Sequence, residues 1–259
     1  MPDTFQSNDP IAAIQPLLPE LAARAAEMEE ARRLPADLAL KLAAAGVLRM
    51  VTPRRFGGLE STPREIVEIT EIIARANASA GWCAMIAATT ALNAAYMEPF
   101  HAGEIYGNPM AITGGVFAPM GRAVLEGDHY RVTGRWQWGS GSANCTWLCG
   151  GCTIWENGEM KRLASGAADT RMMVFPASDA VLHDTWHVMG LKGTGSGDIE
   201  VKDLLVPKGR SVSLVSDAPR EAGALYKFPA FGLLALGVCG VALGNARGAL
   251  DAFHDLATV

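Results

Sequence analysis

At 259 residues, with hydrophobic side chains at 49% and charged ones at 19%, the chain can form one large domain or two modest ones, each with its own core. Its net charge is −5, and its lysines and arginines are scattered with no run longer than a pair. That rules against nucleic acid or an anionic membrane as partner and leaves a small molecule as the expected one. Five cysteines, an odd number, fit a reducing compartment better than a disulfide framework.

The first ten residues carry neither a basic nor an apolar stretch of the secretory kind, so a cytoplasmic location is expected. Residues 11–33, rich in Ala, Leu and Glu, predict a helix. Pro35 restarts the chain for a second helix over 36–45, which Gly46 ends. After the loop Pro53-Arg-Arg-Phe-Gly-Gly58, Thr62-Pro-Arg-Glu65 has the form of a capping box with proline in the first turn. Ile66, Ile69, Ile73 and Ala76 then fall on one face. A fourth helix, over 79–97, is small-residued and nearly uncharged, the composition of a helix buried all round.

From Ile112 the period changes to two. Strands are predicted over 112–118, 122–126, 129–138, 146–155, 171–175 and 198–206, with hairpin turns at Gly127-Asp128 and Asn157-Gly158. Beyond Lys208 the chain loosens through 211–224 and then enters an apolar helix from Phe231 that is still running at Val259. The apolar run 228–244 carries four glycines and is marginal for spanning a bilayer, so it reads as a buried helix. Such a helix needs partners, from another subunit or from further chain. The fold class expected is α+β: an N-terminal helical domain (1–110), a central antiparallel β domain (111–212), and a linker with the first helix of a C-terminal bundle (213–259).

Within the β region, Gly134-Arg-Trp-Gln-Trp-Gly-Ser-Gly-Ser-Ala-Asn-Cys-Thr-Trp147 holds three tryptophans in fourteen residues. Tyr130, Val132, Gly134, Trp136 and Trp138 share one parity of a half-buried strand. The strand runs into Gly139-Ser140-Gly141, where backbone amides and one hydroxyl can approach a flat ligand. A tight turn capping an aromatic-rich sheet explains the same residues, and both readings stand at this point. Cys149-Gly-Gly-Cys152 matches a Cys-x-x-Cys pattern but lies in a predicted strand with no second Cys or His pair at zinc spacing, so small buried residues are expected there and no metal. Gly190-Leu-Lys-Gly-Thr-Gly-Ser-Gly197 lacks the Gly-Lys-Ser/Thr and the following helix of a phosphate-binding loop. It is read either as a sheet connection or as a loop near a ligand.

Helices, then a β domain, then the start of a bundle is the order of the acyl-CoA dehydrogenase fold. The chain resembles the oxygenase components of two-component flavin-dependent monooxygenases built on that fold, such as secosteroid and p-hydroxyphenylacetate hydroxylases. The likeness rests on Phe56-Gly-Gly58, Gly81-Trp82, Ala118-Pro-Met-Gly121, Gly134-Arg-Trp-Gln-Trp-Gly-Ser-Gly141, Trp186-His-Val-Met-Gly-Leu-Lys-Gly-Thr-Gly-Ser196 and Val206-Pro207. The resemblance implies reduced FMN or FAD delivered by a separate flavin reductase, a C4a-hydroperoxyflavin formed with oxygen, a small organic substrate such as an aromatic, and a homotetramer in the full-length form. It implies flavin contacts at Trp82, Val116, Gly139, Ser140 and Gly141. Val116 stands where relatives often have a small polar residue, so its contact would be through the backbone, and Gly139 stands where a serine is common. The resemblance also puts the catalytic histidine and a phosphate-gripping arginine beyond Val259, as in a C-terminally truncated form. None of the five histidines, His101, His129, His183, His187 and His254, is singled out as a base.

Two other readings are weighed. An acyl-CoA dehydrogenase with bound FAD would use a carboxylate base and usually carries an acidic segment after the first strand, where this chain reads Val116-Phe-Ala-Pro-Met-Gly-Arg122. A non-enzymatic remnant acting as an interaction module rests only on the unfinished last helix.

Overall fold

A computed structural model describes residues 9–258; the first eight residues of the N-terminal stretch lie outside it. The helical part comprises α1 (Pro10–Ile14), α2 (Leu18–Ala23), α3 (Ala25–Ala31), α4 (Ala36–Ala44), α5 (Pro63–Ala76), α6 (Ala78–Thr90) and α7 (Pro99–Tyr106). The single helix expected over 11–33 is three short ones. Pro16 and Pro19 cannot supply the backbone N–H that a continuous helix needs, and Arg24 leaves helical geometry between α2 and α3. At α5 the capping box is present as expected: the Thr62 hydroxyl accepts from the Glu65 amide, and the Glu65 carboxylate accepts from the Thr62 amide. The fourth helix ends at Thr90 and continues only as a tighter turn over Ala91–Ala95.

The sheet contains β1 (Thr113–Glu126), β2 (His129–Trp136), β3 (Trp147–Glu156), β4 (Glu159–Met160), β5 (Thr170–Pro176), β6 (Val181–His183), β7 (Asp198–Pro207) and β8 (Ser211–Val212). Its order is β6-β7-β2-β1-β3-β5-β8, with β4 paired to β3. Both hairpin turns fall where expected, joining Glu126 to His129 and Glu156 to Glu159. Asn157 and Gly158 both take positive φ, 51° and 84°, as a two-residue hairpin loop requires. Two strand expectations differ. Residues 112–118 and 122–126 form one strand, because Pro119 sits in a register shift between Val116 and Gly121, where a missing N–H is tolerated. And β1 pairs with β3 in parallel, the exception in an otherwise antiparallel sheet.

The sheet separates two apolar cores. Along β5, Met172 and Val174 face the helices, whereas Met173 and Phe175 face the opposite side, the period-two alternation of a strand. The same rule disposes of the cysteine pair. Cys149 joins the helical core and Cys152 the other, so a spacing of three sends the two thiols to opposite faces.

The long helix α8 (Ala230–Ala257) packs on α5 and α6 through Gly237, Gly240 and Gly244. A Cβ at these glycines would stand 2.8 Å from Met85 Cγ, 2.9 Å from the Val67 carbonyl and 2.3 Å from the Glu71 carbonyl, respectively. The expectation of a helix buried all along its apolar run holds for this face alone. Phe231, Val238 and Leu243 within the run are 48%, 44% and 46% exposed.

Candidate functional site

Trp136 and Trp138, alike by parity, part company in the structure. Trp136 is fully buried; its indole lies where Cβ atoms at Gly121, Gly134 and Gly150 would have to be, and Nε1–H donates to the Gly151 carbonyl at 2.7 Å. Three glycines from three adjacent strands thus make room for one ring, and Trp136 is a pillar of the core. The strand ends there. Trp138 takes φ +68°, rare for a bulky side chain, and is 62% exposed.

Trp82 and Ser140, 58 residues apart, meet. The Trp82 indole N–H donates to the Ser140 hydroxyl at 2.9 Å. Asn77 caps α6 through the Ala80 amide. Gly81 lets that helix approach α5 closely, since a Cβ there would stand 2.6 Å from the Ala74 Cβ. Both fix Trp82 at the start of α6, half-buried. Ser140 follows β2 in a turn whose amides are committed internally. Gly139 N–H donates to the Gly197 carbonyl and Gly141 N–H to the Thr194 carbonyl, each at 2.8 Å, and Ser140 N–H donates to the Trp138 carbonyl at 2.9 Å. The polar group this turn offers a ligand is therefore the Ser140 hydroxyl rather than its backbone. Gly141, at φ +70°, needs glycine for its left-handed conformation.

The Ser140 hydroxyl also pairs with Ser196 at 2.7 Å, Ser196 with Thr194 at 2.6 Å, and Thr194 donates to the Leu191 carbonyl at 2.9 Å. All three side chains are buried. The glycine-rich segment 190–197 is thus a sheet connection that places two hydroxyls behind Ser140. Sequence reading singled out the segment but neither residue: hydroxyls between glycines were visible, their partner was not.

On the other side of Trp82, α6, the sheet and α8 border a half-open cavity of about 180 Å³. Its walls include Trp82, Met85, Phe117, Met172 and Leu234, with Thr89, Thr90 and Asn93 as polar points and no charged residue. Phe117 meets Phe231 of α8 edge to face, ring centres 5.3 Å apart. Val116 itself turns its side chain to the opposite core; its neighbours Gly115 and Phe117 line the cavity, so only the Val116 backbone could be near a ligand there. Cys149 also lines it, and burial pushes its thiol up to about 12, which removes it as a nucleophile at neutral pH.

The histidines lie elsewhere. His101 pairs with Glu104 at 2.7 Å and His183 with Glu200 at 2.6 Å. His187 stands beside the Arg32 guanidinium, and His129 and His254 are exposed. No His, Asp or Glu is among the residues lining the cavity, and among the described residues no group of three or more His, Cys, Asp or Glu is placed to hold a metal.

Comparison with known proteins gives consistent matches. Residues 17–99 match the acyl-CoA dehydrogenase N-terminal domain. The chain is 32% identical over 227 residues to the flavin-dependent monooxygenase oxygenase subunit HsaA of Mycobacterium tuberculosis, covering 85% of this chain and 56% of that protein. It is 32% identical over 241 residues to the oxygenase component of the FADH2-dependent resorcinol hydroxylase of a Rhizobium species, covering 89% and 57%. The crystal structure of 3-HSA hydroxylase from Rhodococcus sp. RHA1 superposes with a TM-score of 0.89 at 28% identity, over 96% of this chain and 67% of that one. The chain spans a little over half the length of these two curated relatives.

Proposed function

We propose, from its similarity to acyl-CoA dehydrogenase-fold oxygenase components of flavin-dependent monooxygenases, that the chain is the oxygenase part of a cytoplasmic two-component system that oxygenates an aromatic or other small organic molecule. The observation that carries this is the hydrogen bond from Trp82 to Ser140 beside an apolar, uncharged cavity. The residues present would suit a flavin: the Trp82 indole and the Phe117 ring, which line the cavity, for its flat faces, and the Ser140 hydroxyl, which lies behind Trp82 and outside that lining, for its polar edge. Trp82 and the Ser140 hydroxyl would hold it, with the Val116 backbone near by, whereas the Gly139 and Gly141 amides are engaged within the fold and serve to place Ser140. When bound and reduced by a separate reductase, the flavin supplies oxygen activation.

The chain's own residues do the rest. Trp82, Met85 and Phe117 supply apolar walls that would hold water off a bound flavin. Thr89, Thr90 and Asn93 give a substrate ring its few polar contacts.

The test supplies the purified protein with NADH, a flavin reductase, FMN or FAD, and phenolic and indolic compounds under ¹⁸O₂. Incorporation of one labelled oxygen atom into an organic product supports the reading. Stoichiometric hydrogen peroxide with no labelled product from any compound, by a protein shown to bind flavin, counts against it.

A further inference from the structure

The hydroxyl row behind Ser140 has a property that follows from counting its protons. At one end Trp82 Nε1–H can only donate, and at the other the Leu191 carbonyl can only accept. Between them stand three hydroxyls, Ser140, Ser196 and Thr194, each with one proton to give. Two arrangements satisfy every group. In the first, Ser140 donates to Ser196, Ser196 to Thr194 and Thr194 to Leu191, which leaves a lone pair on Ser140 free to accept from a ligand N–H. In the second the row reverses. Thr194 donates to Ser196, Ser196 to Ser140, and Ser140 donates outward to a ligand acceptor. The Leu191 carbonyl is not orphaned by the reversal, because it also accepts from the Thr194 amide at 3.1 Å and from the Trp186 indole at 3.0 Å. Burial keeps water from substituting for the two members behind Ser140: Ser196 is 3% exposed and Thr194 1%.

We propose that Ser196 and Thr194 are positioning residues that make the Ser140 hydroxyl a reversible contact, able to donate to an oxidised flavin and to accept from a reduced one. This rests on the reading that Ser140 faces the flavin's polar edge. An oxidised isoalloxazine presents an unprotonated ring nitrogen at its N5 position, an acceptor, and the reduced ring presents N–H there, a donor. A lone serine could meet one of these at the expense of its other partner. The row behind Ser140 lets it meet both, so the two redox states are held without leaving a buried hydroxyl unpaired.

Removing the row fixes the direction. In Ser196→Ala, Ser140 has no acceptor behind it and its proton must point outward, which suits the oxidised ring and opposes the reduced one. In Thr194→Val, Ser196 loses its own acceptor and is left to donate to Ser140, with the same bias. The experiment measures Kd for oxidised FMN and FAD, and anaerobically for their reduced forms, in the wild type and both variants. The Trp82 indole N–H resonance of the flavin-free protein is followed in parallel. The expected result is a fall of about five-fold in the preference for reduced over oxidised flavin in Ser196→Ala, the size of one neutral hydrogen bond. A fall in the same direction is expected in Thr194→Val, with a shifted Trp82 resonance in both. The conservative Ser196→Thr, which keeps a hydroxyl, should restore the wild-type preference. Variants that weaken both redox states equally, or leave the preference unchanged, overturn the proposal. So does a wild-type preference that survives in Thr194→Val if Ser196→Ala does not fold. A wild type that binds flavin in neither state fails the functional reading instead, and is told apart from the other outcomes by that result alone.

Discussion

Gly150→Ala tests whether Trp136 is a pillar of the core. A Cβ at position 150 would fall 2.3 Å from Trp136 Cε2, 2.4 Å from Cζ2 and 2.7 Å from Cδ2. Ordinary carbon contacts are about 3.5–4.0 Å, so the ring or the strand must move by more than about 1 Å. The ring has nowhere to go. It is tied to the Gly151 carbonyl and flanked by Gly121 and Gly134, where a Cβ would stand 2.5 and 2.7 Å from it. Overpacking of this kind costs about 1–3 kcal/mol, and loss of the indole hydrogen bond adds about 1 kcal/mol, giving roughly 2–4 kcal/mol in all. For a chain of this size that lowers Tm by about 5–15 °C. Urea and thermal unfolding of the wild type, Gly150→Ala, Trp136→Leu and the double variant would measure it. Leucine removes the ring that the new Cβ strikes, so the double variant should lose at least about 1 kcal/mol less than the two single losses added. Additive losses, or a Gly150→Ala variant within about 0.5 kcal/mol of the wild type, would refute the reasoning.

Two further outcomes are expected. Burial pushes the Cys83 and Cys149 thiols up to about 12 and those of Cys145 and Cys152 higher still, whereas Cys239 is exposed. An aromatic disulfide reagent at pH 8 should therefore label one thiol rapidly in the native protein and five after denaturation; fast labelling of two or more native thiols would contradict the burial. Around Arg24, hydrogen bonds from its guanidinium to Glu27 and Asp37, and from Lys41 to Glu20, hold the three carboxyls below their usual range. Depressed carboxylates stabilise the fold above their ordinary values of 4.5 and 3.8, and that contribution disappears as pH falls through the lower folded values. The urea midpoint of the wild type should exceed that of Arg24→Met at pH 7 and converge with it in acid, and a gap independent of pH would contradict the cluster.

Local chemistry was legible wherever one segment decides its own structure. The capping box at Thr62, the two hairpin turns and the small-residued helix α6 follow from neighbouring residues alone. Alternation also identified β2, but it could not tell Trp136 from Trp138, because the choice depends on three glycines in strands far away in sequence and on a left-handed turn. Pro16 and Pro19 divide the first helix, which composition alone predicts as continuous, and the register shift between Val116 and Gly121 lets β1 run on through the gap that alternation leaves around Pro119. At the candidate site, the resemblance points to Trp82 and Ser140, which the structure brings into hydrogen-bond contact. It singles out neither Ser196 nor Thr194, since a hydroxyl's meaning lies in the partner that folding brings to it. The pairing of β1 with β3 in parallel likewise depends on long-range topology that no local pattern records.

The most direct measurement is an anaerobic titration of the purified chain with reduced FMN and reduced FAD, followed by tryptophan fluorescence, in the wild type and in Ser140→Ala. The account predicts saturable binding of at least one reduced flavin by the wild type, weakened about five- to ten-fold in Ser140→Ala by loss of a single hydrogen bond. No binding by the wild type, or equal binding by a folded Ser140→Ala, would contradict it.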